Sequence, residues 1–447
     1  MFDPANEPSF RLDVAGLSDP FEVLAFTGNE ALSEPFAFEI DVLIDDAQLD
    51  LGGLLHRSAL LCFGATQEGV HGQLQSLVQH EHGNGSRLCR VRLEPKLSRL
   101  ALRFNQRIFS GRSVPQILDQ VLKEHGIVAA QRRFEWSREH PPQTFCTQYH
   151  ESDLQLLQRL CAKAQVHYYF EHRRDGHCLV FGDDPAQLPR VGTAAFAREG
   201  DDVPGVRQWQ VQEDTQPAFA GHSQPMRTAE GHTDLPQLGS GQWLALTGHP
   251  FAECNRQWLL ARVEHHADAL QEPAYSNRIF ALEQGLPAAT AAAPRRRRMN
   301  GLQRAWVVAV DEPRPDRQRP VAVQFDWLYQ GEGAAPSHCW LPLAPTLAEA
   351  PLATLAEGVE VVVSFFEGDP DQPMISGVLQ VPAAAQDQDE SSALPQALVD
   401  EGLQRLLRSA EPLLLLCLIP GGGSFTHCAQ SVCTCRLIGA LERSGAR

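Results

Sequence analysis

The sequence predicts a mainly β protein with short α insertions, and three observations carry that prediction. Apolar and polar residues alternate over several short stretches, as at Phe10, Leu12 and Val14 and again at Phe36, Phe38 and Ile40, which is the period of a half-buried strand. Residues 359–379 pair two strand-like runs across a stiff turn. Val359, Val361, Val362, Val363, Phe365 and Phe366 form the first run and Met374 to Leu379 the second. Between them Gly368, Pro370 and Pro373 forbid any continuation of the ladder, and Pro370 pushes Asp369 into an extended shape. Helical periodicity, in contrast, is confined to a few short insertions.

The elements follow in order. Leu60 to Phe63, Val70 to Val78 and Leu88 to Leu93 continue the strand pattern, with a loop expected over Gly28 to Pro35 and a hairpin turn over His82 to Gly85. Ser113 to Gly126 predicts a helix. Ser113 is the cap, Pro115 suits the first turn, Gly126 suits the far end, and Val114, Ile117, Leu118, Val121 and Leu122 make one apolar stripe. Ser152 and Gln155 form a capping box for a second helix, with Leu157, Leu160 and Cys161 on its buried face. Tyr168 to Phe170 and Cys178 to Phe181 predict a hairpin around Arg173 to Gly176. Residues 184–240 are turn-rich and carry no clear assignment. Gln242 to His249 and Gln257 to His265 predict two paired strands. A linker is expected at 291–300, within an alanine-rich run that ends in Arg295 to Arg298. Trp306 to Val310, Val321 to Trp327, Cys339 to Leu343 and the 359–379 hairpin supply five strands spaced as in a small OB barrel over 301–380. Beyond it, Ala383 to Ser392 predicts a linker, Ala397 to Ala410 an amphipathic helix, and Leu413 to Ile419 an apolar run before a cysteine-rich end.

Composition excludes some function classes. At 447 residues about two to four domains are expected. A formal net charge of −17 argues against wrapping a nucleic-acid backbone, which needs clustered lysine and arginine. The stretch MFDPANEPSF has neither a basic nor an apolar leader region, and Leu413 to Pro420 is far too short for a membrane span, so cytoplasmic folding without a signal peptide or integral membrane segment is expected. The 11 cysteines are mostly scattered singly, as in a reducing compartment.

Candidate chemistry is sparse. There is no nucleophile elbow, HExxH, P-loop or dinucleotide glycine fingerprint, so no catalytic residue is assigned. His427, Cys428, Cys433 and Cys435 are soft ligands close in sequence, but C-x-C strains a tetrahedral zinc site. Disulfides, intermolecular thiols or reduced cysteines are the preferred reading. His265, His266 and Asp268 fall at an expected strand end, and His71, His80 and His82 on expected turn ground, where surface histidines suffice. Glu151 and Asp153 head a helix, where negative charge complements the dipole. Glu367, Asp369 and Asp371 make an acidic turn that rigidity explains without a metal. No cofactor is expected.

Three clusters resemble one family in its own order. Val23 to Ile40, with its Gly-x-Glu and Leu-Ser-x-Pro-Phe positions, is similar to the N-terminal part of VgrG proteins, the type VI secretion spikes related to phage tail hubs. Arg107 to Phe109 follows the same pattern. Gln148, Tyr149, Glu151, Ser152, Asp153, Leu154, Arg159 and Leu160 match the second cluster. Val323, Phe325, Trp327, Cys339, Trp340 and then Phe365, Gly368, Asp369, Pro370, Pro373, Ile375 and Gly377 match the motif that closes the family's OB-fold. The chain departs from the pattern at Ala162, Lys163 and Gln165, at Ala322, and over Thr354 to Gly358.

The resemblance covers roughly residues 8–380. It implies a phage-hub-like double-barrel region over 1–290, an OB-fold over 301–380 and a C-terminal extension over 381–447 without the β-helix of longer members. It further implies a non-enzymatic homotrimer on the Hcp tube. Such a trimer would carry effectors, an adaptor or a PAAR-like tip protein, and would be secreted through the type VI machinery. Two alternatives stand beside it: a hub of a phage tail or tailed bacteriocin, and an OB-fold binder of single-stranded nucleic acid through Phe325, Trp327 and Trp340.

Overall fold

The alternation at Phe10, Leu12 and Val14 becomes strand β1 (Arg11–Val14), whose buried positions follow the predicted period. A computed structural model describes residues 10–46, 48–64, 69–80, 86–198, 203–215, 225–283, 297–315, 317–328, 338–347, 355–380, 413–417 and 423–427. The chain divides into two compact units. The first takes most of residues 1–296; the second takes 105–111, 144–150 and the chain from 297.

In the first unit β1 is followed by β2 (Phe21–Ala31), β3 (Ala37–Ile44), β4 (Ser58–Cys62), β5 (Gly69–His80) and β6 (Arg87–Glu94). Their antiparallel order is β1-β4-β5-β6-β3-β2, and β1 also pairs with β2, so among the described residues these strands close a barrel of six. Every second residue of β3, from Phe38 to Ile44, points inward and joins Leu12, Phe26, Leu61 and Val91 in the core. Each such side chain contributes about 1.5–3 kcal/mol by leaving water.

One expectation fails here. Gly28 to Ala31 belong to β2 rather than to a loop. Gly28 lies under the Phe38 ring, which leaves no room for a Cβ, and this part of β2 pairs with neighbours on both edges. Pairing outweighs the poor local propensity of glycine, asparagine and glutamate.

Strand β7 (Phe104–Arg112) leads into helix α1 (Val114–Glu124), then β8 (Arg132–Glu135), β9 (Gln143–Ser152) and helix α2 (Asp153–Ala164). Both helices begin as predicted. The Gln116 side chain accepts from the Ser113 N–H at 2.9 Å. Ser152 Oγ accepts from the Gln155 N–H at 3.2 Å, while Gln155 Oε1 accepts from the Ser152 N–H at 2.9 Å. The α1 stripe from Val114 to Leu122 is buried throughout. Gln165, which departs from the family pattern after α2, adopts φ 54° and closes the helix in the left-handed region.

The hairpin β10 (His167–Arg173) and β11 (Gly176–Gly182) forms around the expected turn, with β8 parallel to β11. Three strands then fill the stretch left unassigned: β12 (Arg190–Ala195), β13 (Val206–Thr215) and β14 (Pro225–Thr233). After them come the predicted pair β15 (Gln242–Thr247) and β16 (Gln257–Asp268), and a further strand β17 (Tyr275–Glu283). Strand β16 is shared. Its first part pairs with β15 and its last part with β2, and the register shifts between Leu260 and Arg262 where it passes from one partner to the other. Strands β16, β17, β14 and β13 continue the sheet around a second core of Trp209, Leu244, Trp258, Leu260 and Ile279.

The second unit holds a five-stranded antiparallel sheet in the order β20-β19-β18-β21-β22, where β18 is Gln303–Val307, β19 Val321–Phe325, β20 Cys339–Leu341, β21 Glu360–Phe365 and β22 Pro373–Gln380. Strands β7 and β9 pair with each other, and Phe145 of β9 enters the core of this unit with Val323, Phe325, Val361 and Val363. At the expected linker, Met299 is buried and donates its N–H to Gly368 O at 2.8 Å, so the second unit begins before residue 300. A last pair, β23 (Leu413–Cys417) and β24 (Gly423–His427), is antiparallel. The expected turn at 82–85 and helix at 397–410 lie outside the described residues.

Candidate functional site

The corner between β21 and β22 is where the sequence motif and the three-dimensional structure meet. Glu367 and Gly368 both take positive φ, 51° and 73°. A Cβ on Gly368 would collide with Asn300 Oδ1, so glycine is required there for space as well as conformation. Asp369 organises the turn. Its N–H donates to Phe366 O, its carbonyl accepts from the Gln372 N–H, and its Oδ1 accepts from the Asp371 N–H, each at 2.9 Å. Pro373 then opens β22 opposite Phe365.

The corner grips another strand. Asp371 Oδ1 accepts from the Thr147 N–H at 2.6 Å, and Pro370 O accepts from Thr147 Oγ1 at 2.7 Å. Thr147 is 1% exposed, so both bonds form away from water. The acidic turn is thus an anchor for β9, an outcome that sequence separation conceals. Next to it, Trp340, Phe145, Phe366, Pro373 and Met374 line a mainly apolar cavity of about 360 Å³, and Arg319 donates to Thr144 O at its wall.

The predicted motif residues fall into two clusters, one in each unit. In the second unit, aromatic rings form a row. Phe365 stacks on Phe325 at 6.4 Å between centroids, Phe325 on Trp327 at 5.2 Å, and Trp327 meets Tyr149 edge-on at 6.1 Å. Gln148 is fully buried and accepts from Arg107 Nε at 2.8 Å. Phe325 is fully buried, so its ring is core and offers no stacking face to a nucleic-acid base. At Gly377 a Cβ would meet only ordinary contacts with Val362, so space alone does not demand glycine there.

In the first unit, Glu151 accepts from Arg159 Nη2 at 2.5 Å and from Arg159 Nε at 3.0 Å. Asp153 is fully buried, with Arg103 Nε at 2.5 Å and His125 Nε2 at 2.7 Å from Oδ2. Both carboxylates are thus engaged in ion pairs at the head of α2.

The histidines differ from expectation. His266 is exposed, but His265 is buried inside β16, 3.5 Å from Glu30 Oε1 through Nε2 and 2.7 Å from the Tyr275 hydroxyl through Nδ1. Burial pushes the Glu30 carboxyl up, yet the nearby His265 ring and the Ser240 N–H outweigh it and hold the group below its usual value. His71 lies within β5, not in a turn; His80 ends that strand, and His82 lies outside the described residues. Among the described residues no group of three or more histidine, cysteine or carboxylate side chains is disposed to hold a metal ion. His427 ends β24, and Cys428, Cys433 and Cys435 lie outside the described residues.

Residues 29–224 match the phage tail baseplate hub (GPD) family model. The chain is 33% identical to the type VI secretion system spike protein VgrG4b of Pseudomonas aeruginosa PAO1 over 84% of its own length and 57% of that protein. It is also 33% identical to VgrG5 of the same organism, over 85% of this chain and 58% of that protein. It is therefore a homologue of the VgrG spike proteins. The chain spans a little over half the length of these curated relatives. Its fold also matches the E. coli c3393 protein, described as a component of the type VI secretion system similar to T4 tail proteins gp27 and gp5. There the TM-score is 0.69 at 21% identity, covering 82% of this chain and 99% of that one. A Francisella PdpA–VgrG complex matches with TM-score 0.57 at 7% identity, over 96% of this chain and 88% of that one.

Proposed function

We propose that this protein is a structural spike component of a type VI secretion system, acting as a homotrimer seated on the Hcp tube. The observation that carries the reading is the 33% identity to VgrG spike proteins across 84% of the chain, in register with a closed six-strand barrel of the hub kind. In this reading residues 1–290 form the hub, the five-stranded sheet of 301–380 is an OB barrel at the spike base, and the segment beyond 380 serves docking. Function arises from assembly geometry. The protein carries an effector, an adaptor or a PAAR-like tip protein, needs no cofactor and performs no catalysis. It is cytoplasmic while assembled and leaves through the machine itself. A structural neighbour solved as a PdpA–VgrG complex supports the idea of a partner protein.

Light scattering tests the assembly. The expected solution mass is three times that of the 49.3 kDa chain, with co-elution when Hcp is added. A monomer at micromolar concentration, unchanged by Hcp, overturns the proposal. The match of residues 29–224 to a baseplate hub favours one second reading, a hub of a phage tail or tailed bacteriocin. Genes for a sheath, an ATPase and membrane-complex subunits beside this one would favour the secretion system.

A further inference from the structure

Two histidines of one hairpin meet a third, about a hundred positions away in sequence, on the outer wall of the six-strand barrel. His71 belongs to β5, while His172 and His177 face each other across the hairpin β10–β11. The His71 N–H donates to His172 Nδ1 at 3.2 Å, and His71 Nδ1 lies 3.2 Å from His177 Nδ1. Phe36 packs edge-on against both hairpin imidazoles, at 5.0 Å and 5.8 Å between centroids, and Phe170 completes the aromatic surround. We propose that this three-histidine contact is an acid-sensitive latch that holds the hairpin β10–β11 against strand β5.

The geometry works only with neutral rings. His172 Nδ1 is used as an acceptor, so its proton belongs on Nε2, an enclosed atom with no partner among the described residues. Adding a second proton would set an N–H against the His71 N–H. The 3.2 Å contact between His71 and His177 needs one donor and one acceptor nitrogen, and protonating both rings turns it into a repulsion between cations. The groups facing the cluster are few. Asp175 in the hairpin turn acts on His71, and Glu30 of β2 and His265 of β16 act on His172. Glu30 is already engaged by His265 and the Ser240 N–H, which limits what it offers a His172 cation. Desolvation, followed by the mutual charges of the cluster, holds His177 below the ordinary imidazole value. Desolvation also comes first for His71 and His172, where Asp175 and Glu30 oppose it only in part. Rings that take up protons more readily when released favour the native contact above about pH 6.5 and weaken it as the pH falls below.

Hydrogen exchange of the full chain at pH 7.5 and at about pH 5, corrected for the intrinsic pH dependence, tests the latch. The expected result is a loss of about tenfold or more in protection for β10 and β11 at the lower pH, while β18 and β21 keep theirs. His177→Phe, which keeps an aromatic ring beside Phe36 but cannot titrate, is expected to shrink that difference. Unchanged hairpin protection, or an equal loss in β18 and β21, overturns the proposal. Should His177→Phe fail to fold, the wild-type profile decides by the same two outcomes.

Discussion

Removing the Asp371 carboxylate is the sharpest test of the corner as an anchor. In Asp371→Ala the Thr147 N–H loses its 2.6 Å acceptor at a site 1% exposed. A hydrogen bond to a charged group is worth about 1.5–3 kcal/mol. Thr147→Val separately removes the 2.7 Å bond to Pro370 O, at about 1 kcal/mol for a neutral pair. The two bonds converge on one residue, so the double mutant should differ from the sum by about 0.5 kcal/mol or more. Native-state exchange of the 144–150 amides reads this locally. A loss of about 2 kcal/mol appears there as roughly a 30-fold fall in protection. Asp371→Asn keeps an oxygen acceptor and should lie between Asp371→Ala and the wild type. If Asp371→Ala leaves Thr147 protection within about twofold, the bond contributes nothing net and the anchor reasoning is wrong.

Two further substitutions probe the same framework. Phe365→Ala, at a side chain 9% exposed and stacked on Phe325, should cost about 3–5 kcal/mol in denaturant unfolding of the second unit; an unchanged midpoint would refute its inward placement. Asp153→Asn uncouples Arg103 and His125 from a fully buried carboxylate. Breaking a buried pair costs about 3–5 kcal/mol, and the partial exposure of Arg103 argues for the low end; calorimetry showing no shift would mean the network is redundant.

What was legible in the sequence was local. Both helix starts could be read because their signals are local: Ser113 and Pro115 mark the first, and Ser152 and Gln155 of the second need nothing distant to satisfy each other. The hairpin at 359–379 was legible because β-branched runs and prolines act through near neighbours. Strands β12 to β14 were not, since residues such as Gln208, Gln210 and Gly231 extend only because they pair. Gly231 even sits where a Cβ would press on the Trp209 ring. Strand β17 carries the right period at Asn277, Ile279 and Ala281, but with an asparagine and a small alanine in two of its three inward positions the signal is faint.

The candidate sites show the same division more sharply. The resemblance located the corner, yet local rigidity offered a complete explanation of Asp369 and Asp371, and only half of it holds. Asp369 does serve its own turn, accepting from a backbone N–H two residues on. Asp371 serves Thr147, 224 positions away, and no window along the chain contains both. The histidines repeat the point: His71 and His177 are 106 positions apart and meet because the β10–β11 hairpin packs on the barrel wall at β5. A carboxylate or imidazole bonded to its near neighbours is a property of sequence, whereas one bonded across the fold is a property of topology. Those long-range contacts hold one element on another, so they are also the ones whose loss would free a strand or a hairpin while leaving each unit's core intact.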